Sequence, residues 1–177
     1  MTVSLPHAAR LLAVAALASV IAVGCTKKVK ETPAAEPVVD TRADTGPVTN
    51  NTPGAYTPAD LETDACLRQR VVYFDLDQDA LKPEFQAAMN CHAKYLRDRP
   101  SARLRLEGNA DERGSREYNM GLGERRGNAV SSALQANGGS ATQLTVVSYG
   151  EERPVCNASG EDCWAQNRRV ELIYTEK

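Results

Sequence analysis

Histidine is nearly absent from this sequence of 177 residues: only His7 and His92 occur. Nucleophile–histidine catalysis and histidine-rich metal binding therefore have little to work with. None of the five cysteines forms a CxxC pair, which removes the usual zinc-knuckle signature. A cationic excess is also lacking. Lys and Arg total 21 against 23 Asp and Glu, for a net charge of −2, so no bulk charge argues for nucleic acid as a partner. Aromatics are 5% of the chain, so a core must be built mainly from Val, Leu, Ile and Ala. No apolar run reaches the roughly 20 residues that a membrane helix needs.

What is present begins with a short apolar run. Residues 1–10 carry one charge, Arg10, and residues 11–24, LLAVAALASVIAVG, carry none. That length suits the apolar region of a secretory signal peptide. The run ends Ala22-Val23-Gly24-Cys25, which resembles a bacterial lipobox. The resemblance implies a signal peptide over 1–24, removal before Cys25, and lipid on that cysteine. Ala22 departs from the Leu more usual there. Thr26, where an Asp would mark inner-membrane retention, implies the outer membrane. Several acyl chains hold permanently where one binds only marginally, since each buried CH₂ contributes roughly 0.8 kcal/mol.

Residues 26–60 are rich in Pro, Thr, Ala and charge, with no apolar periodicity. Such a stretch cannot bury enough apolar surface to offset its ordering entropy. The expectation is a lipidated N-terminus and a disordered linker over 25–65, able to stretch to roughly 130 Å. Lys27, Lys28 and Lys30 lie near the anchor, either against anionic headgroups or simply solvated.

From Cys66 the pattern changes, and one domain is expected over 66–177. Residues 69–76, QRVVYFDL, read as a buried strand. Pro83 opens a helix to Arg97, with Phe85, Ala88, Met89, His92 and Leu96 at helical spacing. Residues 102–107 alternate as a half-buried strand. A second helix spans Arg116 to Ala136, ended by Gly138-Gly139. Strands follow at 144–149 and 168–174, separated by a cysteine-bearing loop. This order predicts an α/β (α+β) sandwich: a mixed four-stranded sheet with helices packed on one face.

The loop Gly108-Asn109-Ala110-Asp111-Glu112-Arg113-Gly114 joins a strand to the long helix. Helix N-terminal amides favour an anion, and Asp111 adds a carboxylate. On the helix, Tyr118, Leu122, Arg126, Ala129, Val130, Ala133 and Leu134 share one stripe. Arg126 interrupts an otherwise apolar face, while Arg125 points to solvent. An inward guanidinium needs an anionic partner. Two readings follow. Asp111 and Arg126 pair internally and orient the loop, or they take the two ends of a zwitterion. Gly121, Gly123 and Gly127 each cost roughly 1 kcal/mol in a helix relative to Ala, so close packing is expected at all three.

VVYFDLD, LEGNADERG, EYNMGLGERR, VVSYGEERP and NRRVELIY, in this order across about 69–175, resemble the C-terminal domain family of outer-membrane protein A. The likeness is strongest to its lipid-anchored branch in the Tol-Pal system. That resemblance implies an OmpA C-terminal-like domain that binds peptidoglycan non-covalently through the diaminopimelate of the stem peptide. It places ligand contacts at Asp111 and Arg126, with Asp77 and Phe74 lining the pocket and Leu122 against the ligand stem. Asn109 stands where many members have His. Gly123 and Gly127 replace a common Ser and Ala, which should loosen the helix. The implied partners are peptidoglycan, the outer membrane through Cys25, and the proteins TolB and TolA; the domain faces the periplasm, and no cofactor or metal is expected.

Export makes two disulfides plausible among the remaining cysteines. Cys156 and Cys163 bracket a loop and are expected to pair; Cys66 could reach Cys91. Four cysteines allow three connectivities, all open at this level. Arg168 and Arg169 read as sheet-edge or loop-anchoring cations, and His92 as a core or boundary residue. The rival class is a wall hydrolase using Asp75, Asp77 or Asp111. No nucleophile with an adjacent histidine can be assembled for it, so no enzymatic activity is expected.

Overall fold

The computed structural model describes residues 54–177. The expected signal peptide over 1–24, the expected lipidation site Cys25 and the expected linker up to residue 53 lie outside the described residues.

Four strands form one mixed sheet in the order β1-β4-β2-β3. They are β1 (Val71–Tyr73), β2 (Arg103–Asn109), β3 (Leu144–Gly150) and β4 (Arg169–Glu176). The central β4 runs antiparallel to both β1 and β2, while β2 and β3 are parallel. A parallel pair needs a long crossover, and α3 (Arg116–Ala136) supplies it. The other long helix is α2 (Gln86–Asp98), entered through a 3-10 turn at Pro83–Phe85. Leu104 and Leu106 of β2 and Val170 and Leu172 of β4 point to one face and are buried. They meet Met89, Ala93 and Leu96 of α2 and Val130 and Leu134 of α3 in one core.

The outer limits of the elements differ from expectation in three places. The first strand stops at Tyr73 rather than Leu76. Phe74 N–H still bonds Arg168 O at 2.9 Å, but the chain then turns, and Asp77 takes a left-handed φ of 58°. The cysteine-bearing loop contains a helix, α4 (Glu161–Asn167), too short for periodicity to reveal. Residues 54–65 are packed rather than free. There α1 (Asp60–Thr63) buries Leu61, and Tyr56 N–H donates to Asp98 Oδ2 at 2.8 Å.

Helix α3 lies hard against the sheet. A Cβ on Gly123 would sit 2.4 Å from Ser148 Oγ, and one on Gly127 would sit 2.5 Å from Val146 Cγ1. These glycines bring helix and sheet together rather than loosening the helix. At Gly121 the only neighbour within 4 Å is Arg125 Nη1, at 3.4 Å, so the close packing expected there is not found. Disulfides join Cys66 to Cys91 and Cys156 to Cys163. The first ties the chain before β1 to α2; the second closes the loop that carries α4. His92 is a core residue: its Nδ1 accepts from Tyr174 Oη at 2.9 Å and its Nε2 donates to Gln69 O at 3.1 Å, a tautomer assigned from these partners.

Candidate functional site

The C-terminal end of β2, the first turns of α3 and the chain after β1 converge on one cleft of about 220 Å³. Asp77, Asp111, Tyr118, Leu122 and Arg126 line it together with Arg113 and Arg168. Strand β2 delivers Asp111 just past its last residue. Ser115 caps α3 by accepting the Tyr118 N–H at 3.2 Å. The capped helix then presents Tyr118, Leu122 and Arg126 at successive turns of one face.

Arg126 is fully buried. Its Nε donates to Gln78 O at 2.8 Å, Nη1 to Asn109 O at 2.9 Å and Nη2 to Asp75 O at 3.0 Å. The guanidinium carbon lies 5.3 Å from the Phe74 ring centroid. Among the described residues, the anionic partner expected for this side chain is absent. Three carbonyl dipoles hold the charge instead, and the Asp111–Arg126 ion pair does not form. Burial, and then the nearby Arg168 charge, pull the Arg126 pKa down to about 10, so the group stays charged at neutral pH. A guanidinium has five N–H donors, and three are used.

Asp111 is also buried, and two arginines that sequence reasoning did not place in the site hold it. Arg113 donates to Oδ1 through its backbone N–H and Nε, both at 3.1 Å, and to Oδ2 through Nη2 at 2.7 Å. Arg168 Nη1 reaches Oδ2 at 3.1 Å. Burial pushes the Asp111 carboxyl up, but the Arg113 and Arg168 bonds outweigh it and leave it below the ordinary range. Arg168 also donates to Phe74 O at 3.0 Å and to Glu161 Oε1 at 2.5 Å. It sits in the cleft wall rather than at a sheet edge. Its partner Asp111 is far away in sequence, so no spacing could have linked them; the NRR motif was the only signal. Arg169 matches the plainer reading, paired with Glu171 at 2.6 Å.

The remaining sequence candidates divide. Asp77 accepts a hydrogen bond from Tyr118 Oη across the cleft mouth, and Leu122 forms apolar floor. Phe74 stands behind the cleft, under Arg126, and opens onto a neighbouring groove that shares Arg168. Asn109 contributes only its carbonyl. Its side-chain Nδ2 turns to Glu107 O at 3.0 Å, and the buried Oδ1 has no partner. The lining carries Arg113, Arg126 and Arg168 against Asp77 and Asp111. The cleft is thus cationic by one charge, with its most buried cation lacking a carboxylate.

A mixed sheet backed by two helices, with a charged cleft at the end of β2, has the architecture of OmpA-like domains. Residues 73–168 match the OmpA family. Over 89% of this chain, 48% of residues are identical to a peptidoglycan-associated lipoprotein of Pseudomonas putida, covering 92% of that protein. A peptidoglycan-associated lipoprotein of Pseudomonas aeruginosa is 46% identical over the same shares. The crystal structure of the peptidoglycan-associated lipoprotein from Burkholderia pseudomallei superposes with a TM-score of 0.63 at 41% identity, covering 64% of this chain and 97% of that one. The C-terminal domain of Helicobacter pylori MotB, 21% identical with a TM-score of 0.56, shares the fold. The chain belongs to the OmpA family, among its peptidoglycan-associated lipoproteins.

Proposed function

We propose that this chain holds peptidoglycan non-covalently through the diaminopimelate of the stem peptide and turns over no substrate. The observation that carries the reading is the buried Arg126, charged, with unused N–H donors and no carboxylate, in the same cleft as the buried Asp111. The free end of diaminopimelate is a zwitterion, and it supplies the missing carboxylate together with an ammonium for Asp111. Leu122 gives its methylene stem an apolar floor.

The sequence before the domain completes the proposal. Lipid on Cys25 anchors the chain in the outer membrane, residues 26–53 span toward the wall, and the domain faces the periplasm. Among the described residues no helix is long and apolar enough to cross a membrane, which is compatible with a lipid anchor. The chain then links outer membrane to cell wall within the Tol-Pal system, with TolB and TolA as protein partners, in envelope integrity and constriction at division. Co-sedimentation with purified peptidoglycan tests the core of this reading. Diaminopimelate-type wall should carry the protein down and lysine-type wall should not. Asp111→Asn, folded by circular dichroism, should stay in the supernatant. Retention of this variant at the wild-type level would refute the site assignment.

A further inference from the structure

The Asp111 carboxylate is already full. Two oxygens offer about four acceptor positions, and four N–H groups occupy them: the Arg113 backbone N–H and Nε on Oδ1, and Arg113 Nη2 and Arg168 Nη1 on Oδ2. Two of these four come from the Arg113 side chain. An incoming ligand ammonium therefore finds no free acceptor on the residue that should receive it.

The two arginines differ in their freedom to leave. The Arg168 side chain is 5% exposed and Arg113's is 31% exposed. Arg168 is also held by Phe74 O and Glu161, so moving it would orphan a buried carbonyl. Arg113 sits at the lip, with other places for its charge. Its guanidinium carbon stacks 4.2 Å from the Trp164 ring centroid, and Nη2 lies 3.5 Å from Glu161 Oε2. Helix α4 supplies both, and Trp164 is fixed from behind by its own bond to Glu112 Oε1 at 3.0 Å. A guanidinium already held by an aromatic face and a second carboxylate keeps that stabilisation when its bonds to the first carboxylate open.

We propose that the Arg113 side chain is a built-in stand-in for the ligand's ammonium: it occupies Asp111 in the free protein and releases it, still held by Trp164 and Glu161, when a zwitterionic ligand enters. This rests on the diaminopimelate reading above. Arg113 keeps a buried carboxylate neutralised in the empty cleft, and it sets a threshold that only a ligand with a well-placed cation crosses. A ligand that brings a carboxylate alone leaves Arg113 in place and gains nothing at Asp111.

Calorimetric titration of the full chain in detergent tests this with two probes. One is a stem peptide ending in meso-diaminopimelate; the other is the same peptide with the distal amine replaced by hydrogen. Arg113→Gln should bind the first on the order of tenfold tighter than wild type, a step that corresponds to about 1.4 kcal/mol. Its affinity for the deaminated peptide should change little, so discrimination between the two widens. Arg113→Lys, which keeps a cation on Asp111, should stay close to wild type. If wild type binds the peptide and Arg113→Gln binds it equally or more weakly, Arg113 does not compete with the ligand and the proposal falls. A Lys variant that behaves like the Gln variant also overturns it, because charge is then not the cause. Wild type that binds neither probe refutes the diaminopimelate reading itself, and this inference with it.

Discussion

Two glycines on α3, two residues apart, should respond to alanine with opposite sign. Replacing a helical Gly by Ala gains roughly 1 kcal/mol of backbone propensity. At Gly121 nothing opposes that gain, since the new Cβ meets only the far end of the Arg125 side chain, Nη1 at an ordinary contact distance of 3.4 Å. At Gly123 the Cβ would fall 2.4 Å from Ser148 Oγ and 2.8 Å from Gly108 O. Neither neighbour yields easily. Ser148 Oγ is held by its bond to Met120 O at 2.6 Å, and Gly108 O is strand backbone. Overpacking of this kind costs typically about 1–3 kcal/mol, and a backbone clash belongs at the upper end. The net loss is then about 2 kcal/mol. A domain of this size shifts by roughly 4 °C per kcal/mol. Gly121→Ala should therefore melt about 4 °C above wild type and Gly123→Ala about 8 °C below it, by calorimetry or circular dichroism. Gly123→Ala should also weaken peptidoglycan retention, because spreading α3 from β2 moves Arg126 away from Asp111. Melting shifts of the same sign for the two variants would refute the packing argument.

Three further outcomes concern His92, the two disulfides and Arg126. Burial, opposed by the Gln69 carbonyl bond, holds the folded pKa of His92 at about 4 against about 6.5 unfolded. The unfolded chain thus binds the extra proton first, and stability should fall by up to about 3 kcal/mol between pH 6.5 and 4. Carboxylates held below their ordinary values, such as Asp98 and Asp111, lose their contribution only below that window. His92→Gln, which keeps a donor and an acceptor, should flatten the upper limb in urea titrations, and a flat wild-type profile would disprove it. The loop-entropy relation gives about 3.5 kcal/mol for the Cys66–Cys91 link and about 2.5 kcal/mol for Cys156–Cys163, whose sequence separations are 25 and 7. Paired serine variants should reproduce that order in urea midpoints. Arg126→Lys cannot reproduce the guanidinium's fork onto three carbonyls, and each charged hydrogen bond it gives up is worth about 1.5–3 kcal/mol. It should cost about 3 kcal/mol in urea unfolding, and wild-type stability would mean that water replaces the lost bonds.

Much of this protein is written locally. Two-residue alternation gave Leu104 and Leu106 to the core, and the 3.6-residue stripe fixed α3 at Arg116–Ala136 and put Arg126 on its inward face. The anomaly of a charge on an apolar stripe was enough to mark the site. Periodicity cannot show elements shorter than its own window, so α4 and α1 look like loop and linker in the sequence. Leu61 at the edge of a polar stretch carries no pattern by itself; it is buried because the fold brings it into the common core.

What the partners of the charges are, only the tertiary structure decided. A buried guanidinium demands compensation, and the sequence can state that demand but not who meets it. Carbonyls brought in by the turn after β1 and the end of β2 satisfy Arg126, which released Asp111 to pair elsewhere. Arg168, on the last connection of the chain, reaches Asp111 because β4 lies between β1 and β2. Strand order is a long-range property with no local signature, so the identity of the ion pairs had to wait for it. The residue types at the site came from the sequence; the pairing that leaves one cation without a carboxylate, and one carboxylate full, came from the fold.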